Sequence, residues 1–422
     1  MPRARLFWLR VFCVRVGLLP VFCLLLSCNR ASERSLTIAV NAGVEGTALK
    51  MAASEWGAAR GVRIEVVELP YANLFEKEQL DLTSRTGAYD VIMMDDPWFP
   101  RLGEEGNLTP LPRAPDADFV APCLDVCRNP YRTGKYYALP YVGNSQLFFY
   151  RGDLFTRYNL AAPRTWDDVL AAARKIGAPG NPPNEKMYGY VMRAASGNAV
   201  VADFMPLLWA FGGDVLDSAS KPACDSPAAV DALRFMLELG KYSPPGYAGF
   251  NADEVSAHLL ESTAAMSINW PAWIAAMDDP AKSKVVGKIA FAPMPSQRVP
   301  GVGELGTWLL AVPAASRHAA DAFDFMFWAT DAPQMKQAAL RGNPPTRRSV
   351  FQSPDLAAKF RAFPVQLASL ESSRPRPRTA QWNEIENAFG IYLSKANASA
   401  MEPAAAMRDA AHDIAQIVNR GR

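Results

Sequence analysis

Between Leu36 and Met94 the chain alternates short apolar runs with helix-length amphipathic stretches, and this alternation restricts its possible folds more than any other feature. Leu36 to Val40 reads as a buried strand, and Gly46 to Arg60 as a helix with Leu49, Ala52, Ala53 and Trp56 on one face. Val62 to Leu69 is β-branched and strand-like, Ala72 to Thr86 fits a second helix, and Asp90 to Met94 is a third strand. Strands separated by helices of this length return in the same direction, which predicts a parallel sheet with helices on both faces. Ligands of such sheets bind at the carboxyl ends of the strands. Asp95, Asp96 and Trp98 fall there.

From Lys135 the pattern changes. Tyr136 to Val142 and Gln146 to Arg151 are strand-like runs joined by Gly143-Asn144-Ser145, which reads as a crossing point. Thr165-Trp-Asp-Asp168 is a capping-box variant that opens a helix to about Ile176. Pro179 to Asn184 is a surface loop, and Tyr188 to Arg193 resumes as strand. Helices are expected around Asp203 to Phe211 and from an N-cap at Ser226 to Gly240. Strands are expected at Ala264 to Asn269, Lys288 to Ala292 and Thr307 to Val312, and the tail beyond Ser316 is mainly helical.

The leader is an address. Arg3, Arg5, Arg10 and Arg15 precede an apolar run, Val16 to Leu26, that is shorter than the roughly 20 residues a bilayer span takes. Leu24-Leu-Leu-Ser-Cys28 resembles the bacterial lipobox, which implies loss of residues 1–27 and acylation of Cys28. The protein would then be exported and lipid-anchored at the periplasmic face of a bacterial membrane or at the cell surface, with residues 28–34 as tether. An ordinary cleaved signal or a retained anchor is the alternative. The formal charge of +2 becomes −2 once the four leader arginines are gone, and this balance points to no nucleic-acid partner. The remaining body of about 400 residues exceeds the size at which one core keeps growing, so two domains are expected.

Of the cysteines left, Cys28 is reserved for lipid, and Cys123, Cys127 and Cys224 cannot all pair. Pro122 and Pro130 suggest a loop in which Cys123 and Cys127 could bridge, whereas a regular helix would hold their β-carbons about 6 Å apart, too far for a disulfide. Both outcomes stay open. Cys224 is expected as a buried thiol, and no histidine lies near enough to suggest a metal site.

Gly301-Val-Gly-Glu-Leu-Gly306 spells a dinucleotide fingerprint, but it follows a proline-rich stretch and enters a strand, where the fingerprint needs a helix N-terminus. It reads as a connection. His258, His318 and His412 stand alone, and there is no H-E-x-x-H or G-x-S-x-G. Asp95 and Asp96 are adjacent on a strand and point to opposite faces, which suits ligand hydrogen bonding better than a hydrolytic dyad. Trp98, Trp270, Trp308 and Trp382 each lie at the end of an element beside polar residues or proline. Flat rings with Asp, Asn and Arg nearby suit a sugar, which has an apolar C–H face and a rim of hydroxyls.

Six segments in order carry a resemblance: Tyr89 to Trp98, Ala138 to Tyr150 with its following Thr-Trp-Asp-Asp helix, Ala264 to Trp270, Gly306 to Pro313, Gly342 to Arg347 and Arg374 to Arg378. Together they resemble family 1 of the extracellular solute-binding proteins, the sugar-binding components of carbohydrate ABC importers. The resemblance implies an α/β periplasmic-binding-protein-like fold (class II topology) with two discontinuous lobes. One lobe would comprise 35–141 and 309–345, the other 145–304 and 348–420, with a multi-crossing hinge near 142–144, 305–308 and 346–347. It implies capture of a sugar or oligosaccharide and delivery to permease subunits by a monomer, with no cofactor, metal or catalytic residue. Glu45, Asp96, Trp98 and Asn144 would line the cleft, with Trp270, Trp308, Arg376 and Trp382 closing from the other side. A lipid-anchored glycan hydrolase, or a binder of a charged solute such as glycerol phosphate or a polyamine, is the rival reading.

Overall fold

The opening alternation builds a sheet. In the computed structural model, which describes residues 34–104, 106–178 and 187–420, β1 (Ser35–Asn41), β2 (Arg63–Leu69) and β3 (Val91–Asp95) run parallel. The helices Val44–Arg60 and Tyr71–Ser84 are their crossovers. Cys28, the leader and the expected loop from Pro179 to Asn184 lie outside the described residues. A hairpin of β4 (Arg128–Asn129) and β5 (Lys135–Tyr136) precedes β6 (Ala138–Val142). β7 (Leu147–Arg151), β8 (Met266–Asn269), β9 (Ile289–Ala292) and β10 (Trp308–Ala311) follow.

β10 returns from far along the chain to insert antiparallel between β3 and β6, giving the order β2-β1-β3-β10-β6. A second sheet, β8-β7-β9, is antiparallel throughout. The expected parallel arrangement therefore holds for the first three strands. Only these are joined by single crossover helices, the connection that parallel neighbours require.

Each sheet has its own apolar core. The first collects Leu36, Ile92, Leu309 and Phe325, and the second Phe148, Trp166, Phe204 and Phe389. Leu147 and Phe149 face a third, smaller cluster with Ile289 and Val255. Alternate residues of β7 thus enter cores on both faces, which is why that strand reads as an unbroken apolar run.

The two sheets are joined where three stretches of chain hydrogen-bond to one another. Gln146 N–H donates to Glu304 O at 3.0 Å, Gly306 N–H to Asn144 O at 2.9 Å, and Leu305 N–H to Arg374 O at 2.9 Å. The third crossing is therefore at Arg374, where 346–347 was expected. Thr346 instead bonds Pro140 O at 2.9 Å, and Val350, Phe351, Phe363 and Leu370 complete the first core. Trp308, expected in the hinge, pairs with Asp95 within the first sheet.

Tyr188 to Arg193, expected as a strand, follows the edge of β8 only loosely, through a bridge at Tyr188–Ala264 and a bond from Val191 N–H to Met266 O at 2.9 Å. The Arg193 N–H goes to the Asp203 side chain at 2.8 Å, which withdraws it from any ladder. Pro122, which suggests a loop, instead sits in the first turn of the helix Ala121–Asp125, a position that tolerates proline. Cys123 and Cys127 are buried free thiols, with Cys127 Sγ donating to Cys123 O at 3.2 Å, and Cys224 is also buried and free. Among the described residues no helix is long and apolar enough to cross a membrane.

Candidate functional site

The ends of the strands and the crossings converge on a cavity of about 660 Å³. Asn41 at the end of β1, Tyr71 just beyond β2 and Asp95 at the end of β3 supply one wall, as the carboxyl-end rule requires. Glu45, in the first turn of the helix that follows β1, joins them. The crossings contribute Asn144 and Gly306, and β10 contributes Trp308. Arg193, Asn198, Asp253, Trp270 and Trp273 face them from the second sheet and its helices.

Of the residues expected from the sequence, Glu45, Asn144, Trp270, Trp308 and Arg376 meet on this wall. Three stand behind it. Asp96 is fully buried, with Oδ1 accepting from Arg378 Nη1 at 2.8 Å. Trp98 fills the space between Tyr71, Phe75 and Trp308, at ring-centroid distances of 4.8, 5.1 and 5.7 Å, and so supports two wall residues. Trp382 opens the helix Trp382–Asn397 with its ring in the second core. Asn41, Tyr71 and Asp95 obey the strand-end rule and were within its reach. Arg193, Asp253 and Trp273 carry no local signal, because the wall they join is assembled from distant segments.

Arg376 organises the floor. It is 2 % exposed, yet its guanidinium lies 3.0 Å from Asp95 Oδ2, 3.6 Å from Glu304, 3.7 Å from Glu386 and 3.8 Å from Asp96. Burial opposes the charge, but Asp95, Glu304 and Asp96 outweigh it and hold the guanidinium above its ordinary pKa. Tyr71 Oη donates to Asp95 Oδ2 at 2.8 Å. Burial raises the carboxyls in turn: Glu304 is pushed up to about 8 against the pull of Arg376, and Asp96 and Glu386 also lie above the usual range. On the wall, burial pushes Glu45 up to about 7, with Asp95 and Asp253 adding to the shift. The second wall guanidinium, Arg193, is paired with buried Asp203 at 2.6 Å. Among the described residues no group of three or more His, Cys, Asp or Glu side chains is arranged to hold a metal ion.

Two sheets with separate cores, tied by three crossings and enclosing one aromatic and acid-lined cavity, define a protein that holds a solute between two lobes. The chain belongs to the bacterial extracellular solute-binding proteins, the family whose pattern matches residues 42–336. It is similar to a probable amino-acid ABC transporter periplasmic-binding protein of Sinorhizobium fredii, 26 % identical over 86 % of this chain and 83 % of that protein. Its fold is similar to an ABC transporter solute-binding protein of Agrobacterium radiobacter in complex with ribitol. That likeness has a TM-score of 0.84 and 27 % identity, and it covers 91 % of this chain and 98 % of that one. A solute-binding protein of Agrobacterium vitis with bound D-mannitol gives a TM-score of 0.81 and 26 % identity, over 92 % and 99 % of the two chains.

Proposed function

We propose that this chain, once exported, captures a small sugar or sugar alcohol in the cavity and delivers it to the permease of an ABC importer, without chemistry. The observation that carries this reading is the wall itself. Tyr71, Trp270, Trp273 and Trp308 offer apolar surface beside carboxylate and amide groups suited to hydroxyls, in a volume typical of small-ligand sites. Arg193 and Arg376 are already ion-paired, which leaves no free cation on the wall among the described residues to receive a phosphate such as glycerol phosphate. The polyols carried by the two Agrobacterium proteins support the same class of ligand. A second reading, capture of an amine-bearing solute such as a polyamine, draws on Glu45 and Asp253. Both carboxylates line the wall, and neither has an ion-pair partner among the described residues.

Calorimetric titration of the exported chain with alditols, hexoses, maltose, spermidine and glycerol phosphate tests these readings. An alditol or hexose should bind, and at 100 times its Kd it should add about 2.7 kcal/mol of stability. Binding of spermidine alone would favour the second reading. No binding across the panel, or turnover of a chromogenic glycoside, would sink the first. The proposed monomer acts from a lipid anchor on Cys28. Labelling with a fatty acid should mark the wild type and leave Cys28→Ala unlabelled, and equal labelling of both would refute the anchor.

A further inference from the structure

We propose that Gly306 and the buried Arg193–Asp203 pair are positioning residues that fix the pose of the Trp270 ring, and through it the cavity's affinity; this rests on the cavity being the solute site. Trp270 follows β8, and its backbone N–H is held by Asn269 Oδ1 at 2.8 Å, but that contact leaves the ring free to turn. Two contacts from elsewhere fix it. A β-carbon on Gly306 would fall 2.7 Å from Trp270 Cη2 and 2.8 Å from Cζ3, so the ring edge rests on bare backbone. Gly306 is not in the left-handed region, so the ring itself is what excludes a side chain there. Nor can the backbone retreat freely, because Gly306 N–H is bonded to Asn144 O at 2.9 Å within the crossing.

The second contact covers a face. The Arg193 guanidinium carbon stands over the Trp270 ring, 5.3 Å from its centroid, a cation–π contact made by a planar group. Asp203 holds that plane in place: it accepts from Arg193 Nε at 2.6 Å and from the Arg193 backbone N–H at 2.8 Å. Asp203 sits on the helix Asn198–Ala210 outside the cavity wall, so its effect on a solute passes through Arg193 and the ring. The ring edge thus touches the crossing while the cation over its face comes from the second lobe. The platform can take this pose only when crossing and lobe are correctly juxtaposed.

The test combines ribitol and D-mannitol titrations with the fluorine resonance of Trp270 in the exported chain labelled with 5-fluorotryptophan, assigned by Trp270→Phe. Gly306→Ala and Asp203→Asn should each shift that resonance and weaken binding about tenfold, the scale of overpacking by one methyl. In a Trp270→Ala background neither should cost anything further, because the residue they act through is gone. An unchanged resonance, or losses that add in full to that of Trp270→Ala, would overturn the proposal. Gly306→Ala alone decides the matter should Asp203→Asn not fold. A wild type that binds neither polyol overturns the ligand reading, while a shifted Trp270 resonance in Gly306→Ala still supports the positioning role.

Discussion

At the residue scale, the charge cluster around Arg376 has a thermodynamic signature. Four carboxylates approach one guanidinium in a buried setting, and among the described residues neither oxygen of Glu304 accepts a hydrogen bond. A carboxyl whose pKa is higher in the folded chain than in the unfolded one favours folding while protonated. For Glu304 that contribution is complete below the ordinary 4.5 and is lost as pH climbs through about 8. Asp96 and Glu386 are raised and act with the same sign. The melting temperature should therefore fall between about pH 5 and about pH 8, and Glu304→Gln should flatten the slope. Thermal unfolding across that range checks this, and a rising melting temperature would contradict it. Arg376 was expected from the family resemblance of its segment, but the carboxylates that make it consequential come from three other stretches of chain. Sequence reasoning also named Trp98 and Trp382 beside Trp270 and Trp308, since a ring on a wall and a ring behind it are spelled alike.

Elements meet here through backbone as much as through side chains. The helix Trp382–Asn397 lies against the start of the helix Asn198–Ala210, and a β-carbon on Gly390 would fall 2.6 Å from Gly197 N and 2.7 Å from Gly197 O. Backbone cannot swing aside as a flexible side chain can. Gly390→Ala should cost about 1–3 kcal/mol in urea unfolding. Because Ser196, Asn198 and Ala199 line the cavity just beyond that contact, it should also weaken solute binding. Unchanged stability would mean the helices re-seat without strain. Elements with strong local signals were legible in advance: the Thr165–Asp168 capping box and the Ser226 N-cap both close as their spelling suggests. The end of the stretch from Tyr188 to Arg193 was not, since the Arg193 N–H is taken by Asp203, ten residues on.

For the whole molecule, the parallel opening and the crossing at Gly143–Ser145 could be read locally, whereas the later lobe boundaries could not. Nothing in the sequence after Arg348 announces which of two cores a helix will join. Val350 and Leu370 settle in the first, while Phe389 and Ile414 settle in the second. The insertion of β10 between β3 and β6 carries the larger consequence. A chain that stops before Glu304 leaves both neighbours of that strand with unpaired edges, and it also lacks Leu309, Phe325 and Leu370 from the first core. Such a truncation should show no cooperative unfolding by near-ultraviolet circular dichroism, and a sharp transition would contradict this. A chain still on the ribosome therefore lacks part of its first core until Leu370 has been made, late in the sequence.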